Sequence, residues 1–173
     1  MPKEYSRLRK KICLLGTSAV GKTSLVSRFV HDSFSDKYLT TIGVKISRKP
    51  VATSGAEIDL LIWDLNGEDR FNRLSSSYLR GTDGYFLVLD GTRRETLDRA
   101  LEIHNRAVEN LGQVARILVV NKYDLLSAWE IEEETISKLR QEGWEVILTS
   151  AKTGTGIEEA FVSLAEKMVA GPA

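Results

Sequence analysis

The stretch Gly16-Thr17-Ser18-Ala19-Val20-Gly21-Lys22-Thr23 fits G-x-x-x-x-G-K-[ST]. That pattern functions only where a strand runs into a glycine loop and the loop opens a helix. Both flanks are present. Lys11-Ile12-Cys13-Leu14-Leu15 is a short apolar run that predicts a buried strand. Ser24-Leu25-Val26-Ser27-Arg28-Phe29-Val30 follows, with Leu25, Val26, Phe29 and Val30 on one helical face. The glycines let the backbone curl so that successive N–H groups converge on one anion. The helix N-terminus adds unpaired donors and the positive end of its dipole. Lys22 can reach the β- and γ-phosphates as a point charge, and the Thr23 hydroxyl can ligate Mg²⁺. The competing explanation is a chance glycine turn. Average residue usage produces the pattern on the order of once in 10⁴–10⁵ positions.

At 173 residues the chain can form one domain with a full core. Lys+Arg and Asp+Glu number 24 each, so the net charge is zero. This argues against nucleic acid or an anionic membrane as a bulk electrostatic partner. Residues 1–9 read as a lead-in, 10–169 as the domain and 170–173 as a tail. The basic residues Lys3, Arg7, Arg9, Lys10 and Lys11 are expected to be solvated ahead of the first strand. Cys13 is the single cysteine, expected to be buried and reduced in a cytoplasmic, monomeric protein. Neither a signal peptide nor a membrane span is evident, and no acylation or prenylation motif is present. No intrinsic membrane anchor is therefore expected.

Apolar runs alternate with amphipathic segments, which predicts an α/β fold with a mainly parallel sheet. Residues 32–42 are polar and aperiodic and predict a long loop, a length often tied to function. Strands follow at about 43–51 and 57–64, joined by a turn at Thr53-Ser54-Gly55-Ala56 and hence antiparallel. Pro50 places the first of the pair at a sheet edge. Leu60-Leu61-Ile62-Trp63-Asp64 ends in an acid where Mg²⁺ chemistry is expected, and Asp64-Leu65-Asn66-Gly67 gives D-x-x-G. Residues 65–80 predict a loop with an irregular helix. Further strands are expected at 85–90, 116–120 and 145–149, and helices at about 95–110, 130–142 and 157–168. His104 is a surface or boundary residue on the first of these helices. It and His31 form no metal cluster with Cys13.

Five signals now stand in order at strand ends: GTSAVGKT, YLTTIG, WDLNGEDRF, NKYD and TSAKTG. Together they resemble the Ras superfamily of small GTPases. TTIGV, WDLNGEDRF and LSSSYLRG look most like the Rab branch. The resemblance covers about residues 10–169. It implies a P-loop fold with a six-stranded, mostly parallel sheet, one antiparallel edge strand and five flanking helices. It implies a Mg²⁺-dependent GTP/GDP switch. Lys22 and the amides of Ser18, Ala19, Val20, Gly21, Lys22, Thr23 and Ser24 would hold the phosphates. Thr23, Thr41 and Asp64 would serve Mg²⁺, and the Gly67 amide the γ-phosphate. Asn121 would brace the loops, the Lys122 stem would cover the base, and Asp124 would read it. The Ala151 amide would meet the guanine oxygen and Phe34 would stack opposite. Tyr38, Ser150 and Lys152 complete the nucleotide set. Residues 34–43 and 64–79 would be the switches that meet effectors, exchange factors and GTPase-activating proteins.

A carboxylate accepts two hydrogen bonds from the N1–H and amine of guanine. Adenine offers no such pair, so a buried Asp124 would be left unpaired. The sequence also departs from the family pattern. Leu65 and Asn66 replace Thr-Ala of D-T-A-G, and Glu68 replaces the glutamine that orients water. Asp90-Gly91-Thr92 stands for Asp-Val-Thr, a change expected to be structural. An ionised glutamate can only accept a hydrogen bond. At roughly 5 Å and an effective dielectric of about 20, its repulsion of the phosphates is about 3 kcal/mol before Mg²⁺ and Lys22 offset it. Lys22, Thr41, Gly67, Glu68 and Asn66 are the candidate catalytic residues, and slow hydrolysis is expected. Positions 17–20 hold no arginine to assist in cis, so any such arginine must come from elsewhere. The absence of a C-terminal cysteine is compatible with a soluble, Rab-like chain from a prokaryote. The alternatives are a GTP-locked scaffold with negligible hydrolysis and an ATP-dependent small-molecule kinase.

Overall fold

The computed structural model describes residues 7–37, 43–65 and 76–171. Six strands form one sheet: β1 (Leu8–Leu15), β2 (Val44–Ala52), β3 (Glu57–Leu65), β4 (Gly84–Asp90), β5 (Ala115–Asn121) and β6 (Val146–Leu148). Their spatial order is β2-β3-β1-β4-β5-β6. Only β2 and β3 pair antiparallel; the other neighbours run parallel. As Pro50 requires, β2 is the edge strand. Five α-helices lie among the described residues: α1 (Lys22–His31), α2 (Ser76–Leu79), α3 (Glu95–Leu111), α4 (Glu133–Gln141) and α5 (Ile157–Ala170). None is long and apolar enough to cross a membrane.

Strand β4 is buried along its whole length, as a central parallel strand covered on both faces must be. One core layer joins Ile12 and Leu14 to Leu25 and Phe29 of α1 and to Phe161 and Leu164 of α5. There the Phe29 and Phe161 rings stack with centroids 3.9 Å apart. The other layer sets Cys13, Leu15 and Leu87 against Leu97 and Ala100 of α3 and Ile136 and Leu139 of α4. Cys13 is fully buried, and burial raises its pKa despite the hydrogen bond to Thr82 and the nearby charge of Lys11.

Three boundaries differ from the sequence expectation. Strand β1 begins at Leu8, three residues ahead of the Lys11–Leu15 run, so Arg9 and Lys10 are strand residues rather than a solvated lead-in. The Lys11 ammonium sits 3.7 Å from the Trp63 ring centroid and donates to the Tyr78 and Arg80 carbonyls at 2.6 and 2.9 Å. A 3-10 segment over Tyr123–Ala128 precedes α4, which starts only at Glu133. The last strand spans Val146–Leu148, shorter than the 145–149 run.

The chain passes from β1 through α1 to β2 and β3 on one side of β1, then crosses to β4 on its other side. Strand order therefore reverses at β1. The crevice beyond the carboxyl ends at such a reversal is where open α/β sheets bind ligands. The Gly16–Thr23 loop leaves β1 at that point.

Candidate functional site

A cleft of about 550 Å³ opens there, lined by Ser18, Ala19, Gly21, Lys22, Thr23 and Ser24 on one side. Asn121, Lys122, Asp124, Ala151 and Lys152 line the other, with Phe34 on its wall. Lys22 is only 6% exposed, and its ammonium donates to the Gly16 and Thr17 carbonyls at 3.0 and 2.8 Å. The loop thus encloses a cation. Gly21 caps α1 with φ of 101°, in the left-handed region. A Cβ there would lie 2.3 Å from Asn121 Nδ2, so the position admits only glycine on both counts.

That contact shows how closely the two halves meet. Asn121, 2% exposed, donates from Nδ2 to the Val20 carbonyl at 3.0 Å. Its Oδ1 accepts from the Thr149 hydroxyl at 3.0 Å and from the Ala151 amide at 3.4 Å. One side chain therefore joins the phosphate loop, the end of β5 and the loop after β6. Lys122 has φ of 71° and sends its ammonium to the Ala19 carbonyl at 3.0 Å and to Asp90 at 2.8 Å.

Asp124 departs from expectation. It is exposed rather than buried, and its Oδ1 accepts from the Ser150 hydroxyl at 2.7 Å. The Ser150 bond fixes the carboxylate's direction. The desolvation that makes a carboxylate selective must then come from the base that covers it. The Ala151 amide, expected to face that base, makes its long hydrogen bond to Asn121 instead.

At the other end of the cleft, the Thr23 hydroxyl donates to Asp64 Oδ2 at 2.5 Å. Asp64 is 1% exposed, and its Oδ1 has no hydrogen-bond partner among the described residues. Burial raises its pKa, opposed by the Thr23 hydroxyl and by the charges of Lys22 and Lys45. A buried carboxylate oxygen with nothing to accept, beside a hydroxyl, fits a hard divalent cation. The all-oxygen donor set suits Mg²⁺.

Two positions were not singled out by sequence reasoning. Arg28 of α1 donates from Nε to the Ala151 carbonyl at 2.8 Å and from a terminal nitrogen to the Lys152 carbonyl at 2.5 Å. It ties the helix that follows the phosphate loop to the loop after β6. Arg93 reaches the Ser18 carbonyl at 3.1 Å. No local pattern signals either, because the partners lie 123 and 75 residues away. Tyr38, Thr41, Asn66, Gly67 and Glu68 fall outside the described residues.

Residues 11–170 match the Ras family. The chain belongs to the Ras family. Its relatives specify the branch. It is 37% identical over 171 residues to the Ras-related protein Rab-13 of Canis lupus familiaris, covering 98% of this chain and 84% of the relative. It is 39% identical over 169 residues to RABD2b of Arabidopsis thaliana, covering 95% and 82%. It is 39% identical over 160 residues to Rab-1D of Dictyostelium discoideum, covering 90% and 77%. This Ras-family chain is a Rab-like small GTPase, a GTP-binding switch with regulatory or effector partners.

Proposed function

We propose that this GTPase is a Mg²⁺-dependent GTP/GDP switch whose unassisted hydrolysis is slow. The observation that carries the reading is convergence on one cleft: the enclosed Lys22 ammonium, the Thr23–Asp64 pair and the Asn121–Asp124 wall. Lys22 and the loop amides bind the phosphates. Asp124, aimed by Ser150, reads the guanine edge. Lys122 and Phe34 flank the base. Thr23 and Asp64, joined by Thr41, hold Mg²⁺, which supplies charge neutralisation at the phosphates when bound. Thr41 and Gly67 report the γ-phosphate to residues 34–43 and 64–79, the surfaces offered to effectors, exchange factors and activating proteins. The chain acts as a monomer in the cytoplasm, a setting in which the buried Cys13 thiol stays reduced.

Displacement of a fluorescent GDP analogue tests base selectivity. GTP and GDP displace it at far lower concentration than ATP, and Asp124→Asn shifts preference toward xanthine nucleotides. Equal affinity for ATP and GTP in the unmodified chain refutes the reading. Single-turnover hydrolysis tests the rate, expected at or below the ~10⁻⁴ s⁻¹ scale of an unassisted Ras-like site. Glu68→Gln speeds it if charge repulsion is the cause. Tenfold slowing by both Glu68→Gln and Glu68→Ala makes Glu68 a catalytic residue instead. If only Asn66→Ala slows it so, Asn66 positions the water.

A further inference from the structure

The turn that leaves β4 grips the phosphate loop from behind. Asp90 is 1% exposed, and its carboxylate meets four donors. Oδ1 takes the Thr92 amide at 2.9 Å and the Thr92 hydroxyl at 2.7 Å. Oδ2 takes Arg93 Nε at 3.1 Å and the Lys122 ammonium at 2.8 Å. The turn is itself fixed. The buried Thr96 hydroxyl accepts from the Asp90 amide at 3.0 Å and approaches the Arg93 carbonyl at 2.7 Å.

From this base the two cations reach consecutive carbonyls of the loop. Arg93 donates to Ser18 O at 3.1 Å and Lys122 to Ala19 O at 3.0 Å. A peptide unit is planar and trans, so its N–H points opposite its C=O. Holding the Ser18 carbonyl on the Asp90 side therefore turns the Ala19 N–H away from it, and holding Ala19 O does the same for Val20 N–H. Ser18 and Ala19 both line the cleft. Ala19 also has φ of 61°, a left-handed conformation unfavourable for a residue with a Cβ. Such a conformation persists where its surroundings over-determine it. A cation on a carbonyl also polarises the amide of the same peptide into a stronger donor.

We propose that Arg93 is a positioning residue of the nucleotide site: braced on Asp90, it holds the Ser18 carbonyl and thereby aims the Ala19 amide at the nucleotide phosphates. The inference rests on the guanine-nucleotide reading of the cleft. It predicts that losing the guanidinium speeds nucleotide release and leaves base choice, set by Asp124, intact.

The experiment follows release of a fluorescent GDP analogue from the full chain, Arg93→Ala and Arg93→Lys, at fixed Mg²⁺. Circular dichroism first checks that each variant is folded; Arg93 is partly exposed, which favours tolerance. Arg93→Ala is expected to release roughly tenfold faster, the scale of one hydrogen bond to a charged group. Arg93→Lys recovers part of the loss. Free guanidinium at millimolar concentration slows release from Arg93→Ala, while potassium chloride at equal ionic strength does not. Preference for GDP over IDP is unchanged. Release from Arg93→Ala at the wild-type rate overturns the proposal. So does faster release that neither lysine nor guanidinium restores, because that marks general loosening. A wild-type chain that holds no guanine nucleotide overturns the functional reading and this inference with it. Retention by the wild type with no effect of Arg93→Ala overturns this inference alone.

Discussion

Gly91 offers a sharp test of how the turn after β4 is packed. A Cβ at this position would lie 2.1, 2.2 and 2.5 Å from Cζ3, Cη2 and Cε3 of Trp129. The backbone cannot retreat, because the Gly91 amide donates to Asn121 O at 3.0 Å and its carbonyl accepts from Glu130 N at 2.8 Å. The indole must move instead. It is half-buried and packs edge-on against Tyr123 with centroids 5.7 Å apart. Forcing a methyl into a filled site costs typically about 1–3 kcal/mol, and the lost aromatic pair adds about 0.5–1.5 kcal/mol. Replacing glycine stiffens the unfolded chain and returns about 0.4–1 kcal/mol. The net expectation for Gly91→Ala is a loss of about 2 kcal/mol, or roughly 4–8 °C in melting temperature for a domain of this size. Gly91→Val, which installs the residue usual in the family, should cost more. Thermal melts at fixed nucleotide and Mg²⁺ concentration measure both, since bound ligand shifts the midpoint. The decisive arm is the double variant. With Trp129→Ala in place the obstacle is gone, so adding Gly91→Val should cost little or stabilise. If Gly91→Ala melts at or above the wild type with Trp129 present, the steric reasoning is wrong. If Gly91→Val costs the same in both backgrounds, Trp129 is not the reason for the glycine.

Asp64→Asn removes a buried carboxylate whose Oδ1 accepts from none of the described residues. The metal-free, nucleotide-free chain should melt at the same temperature or higher, while GDP retention falls and no longer responds to EDTA; a lower metal-free melting temperature would count against this. Burial and, secondarily, the charge of Arg116 hold the His104 pKa below its usual value, and its Nδ1 lies 2.8 Å from the Tyr85 hydroxyl. A depressed folded pKa means the fold favours neutral His104. Its contribution is therefore fully present above the unfolded pKa of about 6.5 and is lost as pH falls through that value toward the folded one. Melting between pH 7.5 and 5.5 should drop more for the wild type than for His104→Asn, and equal drops would remove His104 as the cause. Trp63 lies under the Lys11 ammonium that also holds the Tyr78 and Arg80 carbonyls, so its emission should change when GDP is exchanged for a GTP analogue. Trp63→Phe should abolish the change; persistence of the full signal would assign it to Trp129 or Trp144.

The elements most legible in the sequence are those whose signal is local. The β1–loop–α1 unit carries its motif, its apolar strand and its helical period within about two dozen residues, and all three agree. The antiparallel edge followed from Pro50 and the Thr53–Ala56 turn. Strand order is a long-range choice that periodicity does not carry; the resemblance implied six strands with one antiparallel edge, and the structure supplies their order. The start of β1 was hidden because Arg9 and Lys10 carry charge. The pairing explains why charge is tolerated there: β4 joins β1 only from Ile12 onward, so Leu8–Lys11 are paired on the β3 side alone. The 3-10 segment after β5 is too short for a hydrophobic period to register.

The site residues divide along the same line. Lys22, Thr23, Asp64, Asn121 and Asp124 sit in motifs and were found as motifs. Asp90 was legible as the end of a strand and as the first residue of Asp90-Gly91-Thr92, yet its Oδ2 seats the two cations that hold the Ser18 and Ala19 carbonyls. Among them, Lys122 belongs to the base-reading NKYD segment, whereas Arg93 belongs to no motif. The base wall and the phosphate loop therefore share this buried anchor in addition to Asn121. Burial alone would raise the Asp90 pKa, but Lys122, Thr92 and Arg93 together pull it below the usual carboxylate value. The anchor stays ionised at neutral pH and both cations keep their counter-charge. A change at Asp90 must consequently loosen base and phosphate recognition at once, whereas a change at Arg93 loosens phosphate recognition only. Comparing Asp90→Asn with Arg93→Ala for GDP-over-IDP preference separates the two. Only Asp90→Asn should erode it, and erosion by Arg93→Ala as well would mean that the two halves of the cleft are not independently held.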